Sequence, residues 1–248
     1  MEQRGSGDFE ASPCKNHRTL YFDPIVTARE TAEIVCQGDA RKYYRFRPAR
    51  FYGGIATADC VGCNLRCLFC WSWKNITNPG KVGFFCTPDE VAGKLVKIAR
   101  NKGFRRIRIS GNEPTIAREH LLKVLALVPG DIQFILETNG ILIGHDNTYA
   151  KDLSRFKNLY MRVSLKGTNE KEFSSLTGAN PTGFELQLNA LANLYQAGVK
   201  AHPAVMASFS SQENVKALQK RLGKINRVFE KIEIEELSPY GGAMSRLP

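Results

Sequence analysis

Four cysteines, Cys60, Cys63, Cys67 and Cys70, lie within eleven residues of one another, in the run Asp59-Cys60-Val61-Gly62-Cys63-Asn64-Leu65-Arg66-Cys67-Leu68-Phe69-Cys70-Trp71. Grouped thiolates are the ligands that iron-sulfur clusters and structural zinc sites take. Spacing separates the two chemistries. A zinc ribbon draws its four sulfurs from two C-x2-C knuckles about 15–20 residues apart, so that two turns meet at one tetrahedron. No second knuckle follows this run, which favours iron and sulfur, with zinc as the standing alternative. The chain has seven cysteines in all, and Cys14, Cys36 and Cys86 are scattered singletons. An odd count with one dense cluster belongs to a metal site in a reducing compartment, not to a disulfide framework. The singletons read as structural or free thiols, with an auxiliary cluster as the alternative.

The order C-x3-C-x2-C from Cys63 to Cys70, with aromatic Phe69 just before the last cysteine, resembles the signature of radical SAM enzymes. The resemblance implies that Cys63, Cys67 and Cys70 hold three irons of a 4Fe-4S cluster. The fourth iron stays open to the amino and carboxylate groups of S-adenosylmethionine (SAM). Electron transfer then breaks the sulfur–C5′ bond and gives methionine and a 5′-deoxyadenosyl radical, which takes hydrogen from a substrate. In such enzymes the cofactor carries the chemistry and the protein positions it. The implied electron source is a low-potential donor of the flavodoxin or ferredoxin type. Cys60 departs from the pattern: at the end of a strand, it is either a buried thiol or a fourth ligand that would make an ordinary electron carrier.

Further stretches extend the resemblance. Ser110-Gly111-Asn112-Glu113-Pro114 resembles the family's glycine-glycine-glutamate-proline motif, with Asn112 in place of the second glycine, and implies that Gly111, Asn112 and Glu113 meet the methionine amino group. Glu137-Thr138-Asn139-Gly140 is similar to the Asp-Thr-Asn-Gly of glycyl-radical-enzyme activases, and Ser164-Leu165-Lys166 to their Asp-Leu-Lys. By that likeness Lys166 pairs with the methionine carboxylate, Ser164 stands where an acid contacts ribose, and Phe69 meets adenine. Taken as bare sequence, these stretches are glycine-containing turns at strand ends. His202 reads as a satisfied histidine or, by the same likeness, a neighbour of ribose. The nearest overall likeness is to the compact activating enzymes of glycyl-radical enzymes such as pyruvate formate-lyase.

The elements that must position these residues alternate. Apolar strand candidates at 54–59, 105–110, 132–137, 159–166, 199–207 and 230–237 are separated by helix candidates at 88–101, 117–127, 148–156, 183–197 and 211–228. Strand alternating with helix makes a parallel sheet with crossovers. The expected fold is α/β, a partial (β/α)6 TIM-like barrel with a short N-terminal extension. Residues 1–53 form the extension, 54–237 the radical SAM core and 238–248 a tail. Residues 1–20 read as frayed, 25–37 as helical and 41–50 as an edge strand, so that the extension caps the open barrel edge.

Several strands alternate apolar and polar residues where a doubly buried strand would be apolar throughout. Ile107 and Ile109 oppose Arg106, Arg108 and Ser110; Met161, Val163 and Leu165 oppose Arg162, Ser164 and Lys166; Ile232 and Ile234 oppose Glu233 and Glu235. Charges inside a sheet cost several kcal/mol unless paired or solvated. An open barrel with a wet lumen satisfies them, with Arg106, Arg108 and Arg162 paired to Glu233 and Glu235; the alternative is one exposed face of a two-layer sheet.

No stretch approaches the roughly 18 apolar residues that span a bilayer, and the first residues lack a secretory apolar run, so the expected location is the cytoplasm. Lys and Arg exceed Asp and Glu by 35 to 24, a formal charge of +11. That balance favours an acidic partner, or is simply a solvated surface. Three substrate readings stay open: a protein, as for the activases; RNA, through the basic and aromatic run RKYYRFRPAR at 41–50; and a small molecule held by lumen arginines.

Overall fold

The computed structural model describes residues 21–237 and 244–246. Cys14, the frayed reading of 1–20 and most of the tail lie outside them. The chain enters through α1 (Pro24–Val35), whose first turn is capped by Asp23 and opened by Pro24. It continues through β1 (Cys36–Gln37) and β2 (Ala40–Ala49) into β3 (Ile55–Cys60). After the cysteine run come α2 (Trp73–Thr77), β4 (Phe84–Cys86) and α3 (Pro88–Lys102). α3 starts at a capping box in which Thr87 and Glu90 satisfy each other's backbone N–H. The alternation then runs β5 (Arg106–Ser110), α4 (Arg118–Leu127), β6 (Gln133–Thr138), α5 (Ile141–His145), α6 (Asn147–Leu153) and β7 (Leu159–Leu165). It closes with α7 (Glu170–Thr177), α8 (Thr182–Gln196), β8 (Ala201–Met206), α9 (Gln212–Ile225) and β9 (Glu233–Glu235).

The sheet order is β1-β2-β3-β5-β6-β7-β8-β9, with β4 paired to β2, and every pairing from β3 to β9 is parallel. This is an α/β fold built on six parallel strands, a partial TIM-like barrel whose sheet does not close. Residues 41–50 are not an edge: β2 runs antiparallel to β3 on one side and is covered on the other by β1 and β4. Two short strands in that position protect a backbone edge that would otherwise invite pairing.

The alternation in the strands separates the two faces of the sheet. Ala56, Ala58, Cys60, Ile107, Ile109, Met161, Val163 and Leu165 join the helix-covered core. The opposite face carries Thr57, Asp59, Arg108, Ser110, Glu137, Arg162 and Ser164, and its charges are paired. Arg162 bridges Glu233 at 2.7 Å and Glu235 at 2.8 Å. The other two arginines differ from the expected pattern. Arg108 instead bonds Glu137 at 2.6 Å, one strand away, and Arg106 turns to the Tyr52 carbonyl and Gln133 at the barrel's lower rim. Arg108 thus takes an acid of the adjacent strand, Arg162 reaches past β8 to the two acids of β9, and Arg106 takes no acid. Glycines permit two close approaches that set the site. Gly111 has φ +103° and a Cβ there would sit 2.9 Å from the Cys60 amide nitrogen, while a Cβ on Gly144 would run into the Leu186 carbonyl of α8.

Candidate active site

The cysteine run leaves the C-terminal end of β3 and is tied down by backbone bonds to distant elements. The Arg66 and Leu68 amides donate to the Thr177 and Leu176 carbonyls at the end of α7, at 3.1 and 2.9 Å. Arg246 donates to the Leu68 and Cys70 carbonyls, at 3.1 and 2.6 Å, with its guanidinium over the Trp73 ring. Within the run, the Cys70 amide donates to the Cys67 carbonyl at 3.0 Å and the Leu65 amide to the Cys63 Sγ at 3.4 Å.

Burial raises all three thiols. Cys63 is held well above its ordinary value, Cys70 is raised, and Cys67 is pushed up to about 12 by burial, with the Lys166 ammonium pulling back. Thiols in such surroundings become thiolates only when a cationic centre compensates the charge, which is what metal ligation supplies. The donor set therefore fits an iron-sulfur cluster. Cys60 is fully buried on the helix side of β3, with Ala56 and Ala58, and is a core thiol. Cys86 accepts from Lys94 Nζ at 3.3 Å, while Cys36 is half-buried in β1.

Behind the cysteines the loops after β3, β5, β6 and β7 are bound to one another. Glu113, 1% exposed, accepts from the Thr115 amide and hydroxyl and the Thr138 hydroxyl on Oε1, and from the Asn139 amide on Oε2. Its carboxylate is thus a strut between two loops. Asn112 Oδ1 accepts from the Gly62 amide at 3.0 Å, and the Glu113 amide donates to the Gly62 carbonyl, also at 3.0 Å, so the Gly111–Pro114 turn is stitched to the cysteine run. Arg41 from β2 lies buried beneath both, donating to the carbonyls of Val61, Glu113 and Pro114. Asn139 donates to Asn64 Oδ1 at 2.7 Å, and Gln187 of α8 donates to the Asn139 and Ser164 carbonyls while accepting from the Lys166 amide.

In front of the cysteines the structure brings together Phe69, Ser164 and Lys166. Lys166 Nζ lies 5.9 Å from the Phe69 ring centroid and bonds Ser164 Oγ, which donates to Glu235 Oε2 at 2.9 Å. Phe209 stacks on Phe69 at 5.9 Å. Glu137 stands apart from this group, lower in the lumen, bonded to Arg108, Ser110 and the Tyr52 hydroxyl. His202 bonds Glu233 at 2.7 Å, leaving its Nδ1 buried without a partner among the described residues. Arg162 and His202 hold the Glu233 carboxyl down to about 2 despite some burial. Glu235 is also depressed, because Lys166 and Arg162 outweigh its burial. The sequence reading missed Arg41, Asn64, Gln187, Phe209 and Arg246. For Gln187 a signal exists, a polar residue on the inner face of an otherwise apolar helix stripe; the others have none in local pattern.

An open parallel barrel with three thiols on the loop after its first parallel strand, Cys67 buried and Cys63 and Cys70 half-buried, is a frame suited to an iron-sulfur enzyme of the SAM-dependent type. Residues 59–219 match the model of the Radical SAM superfamily. The chain belongs to that superfamily, and with it uses a 4Fe-4S cluster and S-adenosylmethionine.

Among curated proteins it is similar to the probable GTP 3′,8-cyclase of Methanococcus vannielii, 36% identical over 48% of this chain and 38% of that protein. The probable GTP 3′,8-cyclase of Archaeoglobus fulgidus is 28% identical over 77% of this chain and 64% of that protein. The chain spans about half the length of the curated relatives it matches, from 35% to 64%. These relatives carry the name of a cyclase, not of a glycyl-radical-enzyme activase, so the superfamily is established and the activase likeness is not. Among solved structures, SuiB of Streptococcus suis bound to S-adenosylmethionine superposes with TM-score 0.58 at 19% identity, over 74% of this chain and 40% of SuiB. A radical SAM methyltransferase from Sphaerobacter thermophilus gives 0.56 at 13% identity, over 82% and 74%. At these identities the likeness is one of fold. Among the described residues no helix is long and apolar enough to cross a membrane.

Proposed function

We propose that Cys63, Cys67 and Cys70 ligate three irons of the cluster and that SAM occupies the space between them and the Phe69, Ser164 and Lys166 group. The arrangement of the cysteine loop carries this reading: three thiols, one buried and two half-buried, share one loop while the fourth, Cys60, is turned into the core, leaving one iron for SAM. Gly111 and Asn112 present backbone to the methionine end, Lys166 offers a cation to its carboxylate, and Phe69 with Phe209 forms an aromatic wall for adenine. Glu113 and Thr138 act behind them, holding the loops at one spacing. The bound cofactors supply reductive cleavage of the sulfur–C5′ bond, with an electron from a low-potential donor of the flavodoxin or ferredoxin type, and a 5′-deoxyadenosyl radical that takes hydrogen from the substrate.

The substrate is polar and binds in the charged lumen. Buried Arg108 and Arg162, paired with the more exposed Glu137 and Glu233, line it, and the curated relatives are named for a polar nucleotide. Both observations favour this reading over an activase-like protein substrate. Electron paramagnetic resonance of the reduced, reconstituted protein tests the open iron. The cluster signal is expected to change when SAM is added. An unchanged signal with a full complement of iron would refute it.

A further inference from the structure

Two arginines of β2 converge on one buried carboxylate beside the cysteine loop. Arg45 Nε and Arg47 Nε donate to Asp59 Oδ2 at 2.7 and 3.0 Å, and the Asp59 side chain is 0% exposed. One guanidinium would neutralise that carboxylate; the second leaves a net positive charge. Each arginine uses only its Nε in hydrogen bonding, so the terminal N–H groups of both, the fork that matches phosphate, are unspent among the described residues. Asp59 Oδ1 is buried with no hydrogen-bond partner. A fully buried anionic oxygen without a donor is costly and unusual in a folded chain, and it points to a donor that arrives with a ligand.

The surroundings narrow the ligand. Arg45 lies 5.9 Å from the ring of Trp71, which follows Cys70 and is 47% exposed, and 5.5 Å from the ring of Tyr44. Asp59 is on the lumen face of β3, in register with Ser110, so the pair of arginines borders the same lumen that Lys166 faces. A ligand that satisfies all of this carries an anion for the guanidinium forks, a hydroxyl for Asp59 and a flat ring for Trp71.

We propose that Arg45, Arg47, Asp59 and Trp71 form the substrate subsite for a nucleotide unit: phosphate on the arginines, a sugar hydroxyl on Asp59, the base on Trp71. This rests on the lumen being the substrate site and names the class of substrate that enters it. The same unit occurs in a free nucleotide and in a single strand of RNA, and the recognition chemistry is shared.

The experiment uses the reconstituted holoprotein under anaerobic conditions and reads binding without turnover. Its failure therefore leaves SAM cleavage standing, and failure of SAM cleavage leaves the binding curve interpretable. Fluorescence polarisation of a labelled oligouridylate is measured, with unlabelled GTP and guanosine as competitors and GTP binding also measured directly by calorimetry. The expected result is binding of at least one phosphate-bearing probe, no competition by guanosine, a loss of about tenfold or more in Arg45→Gln, and a salt slope shallower by about 0.7 per phosphate contact removed if the strand is the ligand. GTP binding alone assigns the free nucleotide; oligouridylate binding alone assigns the strand. Arg45→Gln leaves Arg47 on Asp59, so the fold is kept, and iron content checks each variant. Trp71→Ala gives a second reading, with an expected several-fold loss. Binding of neither probe, equal affinity of wild type and Arg45→Gln, or guanosine competing as well as GTP would overturn the proposal.

Discussion

Glu113 and Gly111 sit side by side in one turn and act in different ways. Glu113 Oε1 and Oε2 together accept from Thr115, Thr138 and Asn139. A glutamine there keeps the shape but points an N–H donor at other donors. Glu113→Gln is expected to lower stability by about 2–3 kcal/mol in chemical denaturation and to raise the KM for SAM more than it lowers kcat; an unchanged unfolding midpoint would show that the strut carries nothing. Gly111 is required by backbone geometry, since its φ of +103° and the Cys60 amide 2.9 Å from a Cβ leave no room for a side chain. Gly111→Ala is expected to lower the melting temperature by several degrees, whereas Gly130→Ala, where a Cβ meets nothing within 4 Å, leaves it close to wild type; equal melting temperatures would contradict the assignment. At this scale the ligand candidates were legible because a short loop must present thiols at close spacing. Arg41 was not, because a buried arginine inside a basic run looks like its exposed neighbours. Its three carbonyl partners, Val61, Glu113 and Pro114, come together only in the folded chain.

Among the elements, the strands were legible from alternation and α3 from the hydroxyl, proline and early acids of Thr87-Pro88-Asp89-Glu90, while α2, α5, α7, β1 and β4 were not anticipated. All five are short, and tertiary contacts hold them where local propensity is weak. α7 matters most, because its last carbonyls anchor the cysteine run. β9, three residues long, is fastened to the barrel by Arg162 through Glu233 and Glu235. Glu233 is held down to about 2 in the folded state, chiefly by Arg162. A carboxyl depressed on folding contributes stability that is fully present above its unfolded value, about 4.3, and is lost as pH falls through the folded value. Stability is therefore expected to fall from about pH 4.5 towards about pH 2, and Glu233→Gln should flatten the dependence within that window. The two curves, followed by circular dichroism, would coincide if the bridge contributed nothing to β9.

For the whole molecule, the partial barrel leaves its lumen open at the side while its loops gather at one end. Open parallel sheets bind ligands at that end, beyond the carboxyl ends of the strands. The cysteine run, the Gly111–Pro114 turn and Lys166 all lie there, and the Arg162, Glu233 and His202 group lies deeper. The fold class was legible because alternating strands and helices leave few topologies. The placement of β2 was less so: a charged, aromatic strand reads as an edge until the short strands beside it are seen. The central claim is that three cysteines, not four, hold the cluster and that the vacant iron is where SAM is cleaved. The most direct test is formation of 5′-deoxyadenosine by the reduced, reconstituted protein, with wild type, Cys60→Ala and Cys67→Ala compared by mass spectrometry. The account predicts 5′-deoxyadenosine from wild type and from Cys60→Ala and none from Cys67→Ala. Loss of the cluster in Cys60→Ala, or a full cluster in wild type that never cleaves SAM, would contradict it.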